Sequence, residues 1–206
     1  MEMKERILLK ARELFQQYGV KSITMDEIAS QLGVSKKTIY QFFSDKDELV
    51  LVVFSDFIDK IEAECSSLKN QFPNAILEVV NLMHYVLDLF SRINPVMLYD
   101  LKKFHPKAYQ VFLNYKNEFL YNSIVANLKR GIEEGVYRKN LNVDILAKFR
   151  IESIELAFDQ QLFPAGKYNL VEVQKVFIES YLFGISNLEG HKMISDYLEQ
   201  QKNFRS

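Results

Sequence analysis

The stretch from Thr24 to Lys46, TMDEIASQLGVSKKTIYQFFSDK, constrains the fold more than any other part of the sequence. Thr24 followed three residues later by Glu27 is a capping box, in which each side chain satisfies a free amide of the first helical turn. Ile23 and Ile28 take the staple positions around it. These signals start a helix at Met25. Ser35 repeats the pattern with Val34 and Ile39 as the staple, and starts a second helix at Lys36. Gly33 supplies the left-handed backbone that ends the first helix after Leu32, so the turn is Gly33, Val34, Ser35. Two short helices across a three-residue corner have the layout of a helix-turn-helix.

The periodicity of the second helix sorts its side chains. With Ile39 facing the core and Phe42 and Phe43 beside it, Lys37 and Gln41 point almost directly away. Thr38 and Tyr40 flank that ridge, and Lys36 sits in the first turn. Lys37 and Gln41 then have the reach for base edges, and Thr38, Tyr40 and Lys36 have donors for backbone phosphates. The plainer reading of Lys36 and Lys37 is an ordinary solvated pair, which the surrounding turn geometry disfavours.

Ile7, Ala11, Leu14, Phe15 and Gly19, then Thr24, Ile28 and Ala29, then Gly33, Val34, Ser35, Thr38, Tyr40, Phe43, Lys46 and Leu49 follow one another in a spaced pattern. In order and spacing it resembles the DNA-binding domain of the TetR/AcrR family of bacterial transcriptional regulators. The resemblance covers the first 50 or so residues. It implies that Thr24, Ser35, Thr38, Tyr40 and Lys46 bind phosphates and that Lys37 and Gln41 lie nearest the bases. Lys37 departs from the pattern, since many members carry Gly there. Gly lets the backbone approach DNA, so Lys37 implies a longer-range contact or a different docking depth.

Few glycines and prolines interrupt the 206 residues, and 48% of them are hydrophobic, which points to a globular, all-α chain. The expected organisation is an N-terminal three-helix helix-turn-helix domain, residues 1–46, followed by a C-terminal helical ligand-binding and dimerisation domain, residues 47–206. Net charge is −1, so any DNA affinity comes from local placement, not from a basic coat. The single cysteine, Cys65, excludes an internal disulfide and fits a reducing cytosol. The amphipathic N-terminus lacks a signal-peptide core, and no apolar run is long enough for a membrane span. A cytoplasmic location follows as the expectation.

Ile7, Ala11, Leu14, Phe15 and Tyr18 predict a first helix over 3–18 that braces the motif from behind. Ser44, followed by Asp45 and Asp47, caps a longer helix from about Asp45 to Lys69 that leaves the motif and links the two halves. Prolines and glycines then mark helices at about 74–92, from Asn94-Pro95 to Phe104, from His105-Pro106 to Glu134, 143–163 and 170–188. A short, weakly held helix follows Gly190. Helices 143–163 and 170–188 are apolar on more than one face, which asks for a second surface. The resemblance implies that they form a four-helix bundle in a homodimer. A two-fold dimer reads a pseudo-palindromic site in double-stranded DNA.

Aromatic and Met residues are dense between 76 and 163. Met83, Met97, Phe104, Phe112, Tyr115, Phe119 and Phe158 fit packed core or the lining of an apolar cavity. The resemblance implies a cavity here, with a small-molecule effector tilting the helix that begins near Ser44. Glu152, Glu155 and Asp159 share a helical face, as a solvated face paired with Lys148 and Arg150 or as a contact for a cationic ligand. The three histidines have no metal-ligand spacing, and His84 with Asp88 reads as a surface pair. No catalytic, metal or cofactor site is expected.

The sequence therefore favours a ligand-responsive DNA-binding transcriptional regulator, a repressor released from its operator by a small apolar or amphipathic effector. The alternatives are a helical enzyme or lipid-binding protein, and a DNA-binding regulator without a small-molecule ligand.

Overall fold

The computed structural model describes residues 2–69 and 71–203, with side chains as far as Glu199. The described residues form α1 (Met3–Tyr18), α2 (Met25–Leu32), α3 (Lys36–Tyr40), α4 (Lys46–Leu68), α5 (Ala75–Ser91), α6 (Met97–Phe104) and α7 (Pro106–Asn114). A π-helical stretch (Tyr115–Leu120) leads into α8 (Tyr121–Glu133), followed by α9 (Val143–Leu156), α10 (Leu170–Ile185) and α11 (Leu188–Asn203). The all-helical class follows from a chain with few breakers and repeated caps.

The first four helices obey local signals closely. α1 buries Ile7, Ala11, Leu14 and Phe15 on one stripe, while Tyr18, the expected next member, is exposed at the helix end. Thr24 Oγ1 accepts from the Glu27 amide at 3.1 Å and Glu27 returns a carboxylate to the Thr24 amide at 2.6 Å. Gly33 takes φ 67°, a conformation that a side chain would strain. Ser44 does not cap α4; Asp45 does, accepting from the Glu48 amide at 2.8 Å. The Ser44 amide instead bonds the Glu48 carboxylate at 2.6 Å, so neighbouring residues divide the work.

One apolar cluster runs from α1–α4 into α6 and α7, taking in Leu49, Val53, Leu101 and Phe112 without a break. A second joins α5, α8, α9, α10 and α11 through Ile76, Leu128, Ala147, Leu182 and Ile194. α4 begins beneath the first three helices and runs well beyond them. Polar ties reinforce this junction. The Asn94 amide donates to the Gln16 carbonyl at 2.7 Å, and the Lys21 amide donates to buried Asp100 at 2.8 Å. His105 Nδ1 lies 2.6 Å from Asp47 Oδ1.

Three later expectations need correction. The helix expected over 143–163 stops at Leu156, because Asp159 turns its carboxylate to the amides of Gln161 and Leu162 and holds a turn in place of another helical one. The helix expected to reach residue 188 stops at Ile185. The C-terminal helix is neither short nor weakly held: α11 spans 16 residues and buries Ile194 in the second cluster. Gly190 makes that docking feasible, since a Cβ there would stand 2.3 Å from the Val136 carbonyl oxygen.

The run from Pro106 to Glu133 is helical throughout, as expected, but contains the wider π-helical turn. Such turns are frequent at functional sites. Lys116 lies in it, 6% exposed, with Nζ 2.9 Å from Glu152 and 2.6 Å from Glu155 of α9. Tyr109 donates its hydroxyl to Glu155 at 3.0 Å. Lys148 pairs with Asp144 and Arg150 with no described carboxylate, so the expected pairing of the acidic face with those two cations is replaced by Lys116.

This pair has a definite pH signature. Burial disfavours the Lys116 ammonium, but its bonds to Glu155 and Glu152 outweigh that and raise its pKa above 10.5. Burial likewise disfavours the Glu155 carboxylate, and the bonds from Lys116 and Tyr109 outweigh it and lower its pKa below 4.5. The raised lysine gives stability that is present below 10.5 and lost above its folded pKa. The depressed carboxylate gives stability present above 4.5 and lost as pH falls through its folded pKa. Lys116→Met is expected to cost about 2 kcal/mol near neutrality, between the magnitudes for exposed and buried pairs. Urea unfolding of both proteins should show the difference shrinking as the pH falls below 4.5 and through the depressed Glu155 pKa.

Candidate functional site

α1 and α4 hold α2 and α3 from behind, with Ile28 and Ile39 wholly buried and Phe43 1% exposed. The burial of Ile39 sets the direction of everything else on α3. Lys37 and Gln41 are exposed on the opposite ridge, and Lys37 forms no ion pair with a described residue. Phe42, expected beside Ile39, stands 38% exposed because α3 closes at Tyr40 and Gln41 caps it.

The neighbouring polar groups are partly committed within the chain. Ser35 Oγ accepts from the Thr38 amide at 3.1 Å and lies 2.9 Å from Thr38 Oγ1, so both hydroxyls sit together at the start of α3. Lys36 bridges back to Asp26 of α2 at 2.6 Å, a hydrogen bond that raises its pKa, and its ammonium lies 6.0 Å from the Tyr40 ring centre. Tyr40 is 44% exposed. Thr24 is exposed, with its hydroxyl in the capping box. Thr24→Ala is expected to cost about 1 kcal/mol in urea unfolding, because the Glu27 amide loses its acceptor.

Lys46 is engaged within the chain. Its Nζ donates to the Val20 carbonyl at 2.7 Å and reaches the Lys21 carbonyl at 3.5 Å, and burial lowers its pKa. The ammonium thereby joins the start of α4 to the loop after α1. Its place in the family pattern pointed to phosphate, but nothing in the local sequence marks these two carbonyls as its partners.

The seven aromatic and Met residues expected around a cavity do not meet in one place. Met97, Phe112 and Phe158 belong to the first cluster, with Tyr115 packed against it. Met83 is buried in the second. Phe104 lies beneath the ammonium groups of Lys21 and Lys103, at 5.1 and 5.5 Å. Tyr115 and Phe119 stack at 5.6 Å and line an open groove of about 500 Å³ between α4 and the π-helical turn. Glu62 and Glu118 also line it, and burial with the repulsion of Asp59 and Glu118 raises the Glu62 pKa. A separate crevice between α1, α4 and α6, beside Met97 and Leu101, has a volume of about 20 Å³.

Other candidates resolve simply. Cys65 is half buried, and burial raises its thiol pKa to about 11, which makes it a poor nucleophile. Asp88 pairs with Arg92 at 2.7 Å, not with His84, whose ring lies 5.8 Å from that of Tyr197. Among the described residues no group of three or more His, Cys, Asp or Glu side chains is placed to hold a metal, and no helix is long and apolar enough to cross a membrane.

Residues 7–53 match the family described as "Bacterial regulatory proteins, tetR family". Across the whole chain, similarity extends to an uncharacterized HTH-type transcriptional regulator, YvaF of Bacillus subtilis, at 28% identity over 89% of this chain and 96% of that one. The HTH-type transcriptional repressor KstR2 of Mycolicibacterium smegmatis is 22% identical over 92% and 93% of the two chains. A transcriptional regulator from Saccharomonospora viridis, solved in complex with choline, shares the fold with a TM-score of 0.74 at 20% identity, over 89% and 97% of the chains. The family and these relatives are transcriptional regulators, not enzymes. A helix-turn-helix held in this geometry, the family match over it and whole-length relatives of the same type converge: residues 7–53 are similar to the tetR family of bacterial regulatory proteins, and the chain as a whole to HTH-type transcriptional regulators.

Proposed function

We propose that this protein is a cytoplasmic, homodimeric repressor that binds a pseudo-palindromic operator through residues 1–46 and releases it when a small apolar or amphipathic effector binds within residues 47–206. The observation that carries the reading is the α3 ridge, where Lys37 and Gln41 stand exposed opposite buried Ile39. Lys37 and Gln41 read base edges, and Thr24, Ser35, Lys36, Thr38 and Tyr40 meet phosphates. The continuous core between α1–α4 and α6–α7, with the ties at Asn94, Asp100 and His105, supports a mechanical route from effector to DNA. The repressor activity named for KstR2 and the choline bound by the S. viridis protein support repression and effector binding as classes.

Selection of bound duplexes from a random pool tests the reading. The expected result is two inverted half-sites one helical turn or more apart. Recovery of sequences without two-fold symmetry, or no enrichment at all, would sink it. One observation favours a second reading, regulation without a small-molecule ligand: the crevice between α1, α4 and α6 is about the size of one water. Candidate effectors added to the protein and its selected operator separate the two, since only the first reading gives release.

A further inference from the structure

Arg150 lies on the inner face of α9 and is 8% exposed. It donates one hydrogen bond, from Nη1 to Ser153 Oγ at 2.9 Å, and that hydroxyl donates in turn to the Arg150 carbonyl at 2.7 Å. The guanidinium carbon sits 6.0 Å from the centre of the Tyr181 ring on α10. No described carboxylate pairs with it, whereas buried Lys116 and Glu78 both meet opposite charges. Two more polar atoms on the facing side of α10 are buried without a hydrogen-bond partner, the Tyr181 hydroxyl and Gln174 Oε1. Gln174 Nε2 donates to the Ile154 carbonyl at 2.9 Å. Arg150 therefore faces Tyr181, and one turn further along α9 Ile154 faces Gln174, so all these groups share one seam.

A guanidinium in this setting is costly. Burial lowers its pKa to about 10 and only the Tyr181 ring compensates. A buried donor without a partner, as the Tyr181 hydroxyl is, is rare enough to require a reason. The unused guanidinium N–H groups form a planar fork suited to two carboxylate oxygens, and the Tyr181 hydroxyl adds another donor beside them. The surroundings are apolar, for Tyr181 belongs to the cluster of Met83, Ala147, Ile178 and Leu182. We propose that Arg150 and Tyr181 hold the carboxylate of an amphipathic organic acid whose apolar body packs against the Met83, Ile178 and Leu182 cluster. This rests on the effector reading above and names the effector's chemical class.

The test uses the full chain without DNA and follows thermal unfolding and titration calorimetry. The probes are straight-chain acids from butyrate to palmitate, the alcohols of matching length, and inorganic phosphate. At least one acid should raise the unfolding temperature where its alcohol and phosphate do not. Arg150→Met should weaken that acid about ten- to a hundredfold, and Tyr181→Phe several-fold. Without acid, Arg150→Met should unfold at the wild-type temperature or higher, since a buried unpaired charge has been replaced by an apolar side chain. The proposal is overturned if acids and alcohols act alike, if phosphate matches the acids, if no acid acts, or if Arg150→Met retains the affinity. Acid binding that leaves operator affinity unchanged would refute the release mechanism and leave the carboxylate site standing.

Discussion

The double substitution Lys37→Ala, Gln41→Ala is expected to weaken binding to the selected operator by about a hundred- to a thousandfold, with a much smaller loss on scrambled DNA. Each side chain that reads a base edge contributes about 1–3 kcal/mol of discrimination. Both stand on the ridge opposite buried Ile39, so their removal leaves the core of the motif intact. Tyr40→Phe should behave differently. Tyr40 is exposed and its hydroxyl is proposed to meet phosphate, so its loss should lower affinity by a similar small factor on every sequence. Lys46→Met should differ again: the ammonium holds the Val20 and Lys21 carbonyls, so the variant should unfold more readily while the salt dependence of DNA binding stays near wild type. Fluorescence anisotropy on both duplexes across a salt series measures all three. Equal loss on operator and scrambled DNA for the double variant would refute the assignment of base readout.

What was legible in the sequence follows the range of the forces involved. Thr24, Glu27, Gly33 and Ser35 act on amides and backbone angles within four residues, so both motif helices begin where their caps place them. Ser44 and Asp45 are both competent caps, and only the Glu48 carboxylate, shared between them, decides which one is used. Longer-range choices were harder to see. Lys116 falls on the stripe of Ala108 and Phe112 at spacings of four, a signal that a charged residue was heading inward, but its partners lie on α9. Arg150 and Gln174 sit among apolar residues in helices that otherwise read as interface, and their seam exists only once α9 and α10 are packed. The density of aromatic residues marked the region but could not divide Met83 from Met97, which packing assigns to different clusters.

Phe149→Glu is expected to shift the protein from dimer to monomer, raising the dimer dissociation constant by at least about a thousandfold. α9 and α10 bury one face each in the body of the protein and still leave Ile145, Phe149 and Val176 about 60% exposed, with Leu156 at 43%. On α9 the exposed apolar positions fall at spacings of four and seven, one stripe of the helix, opposite buried Ala147, Arg150 and Ile151. An apolar stripe of this kind is an interaction surface, and under the proposed two-fold operator its occupant is a second copy of the chain. In a two-fold interface the substitution enters twice, so two carboxylates must be desolvated for each dimer formed. Because Phe149 is solvent-facing within one copy, the variant should keep the unfolding free energy of an isolated chain. Operator affinity should fall with the loss of the dimer, since each half-site is then bound alone. Light scattering at micromolar concentration and anisotropy on the operator measure both effects; a variant that remains a dimer would remove α9 from the interface.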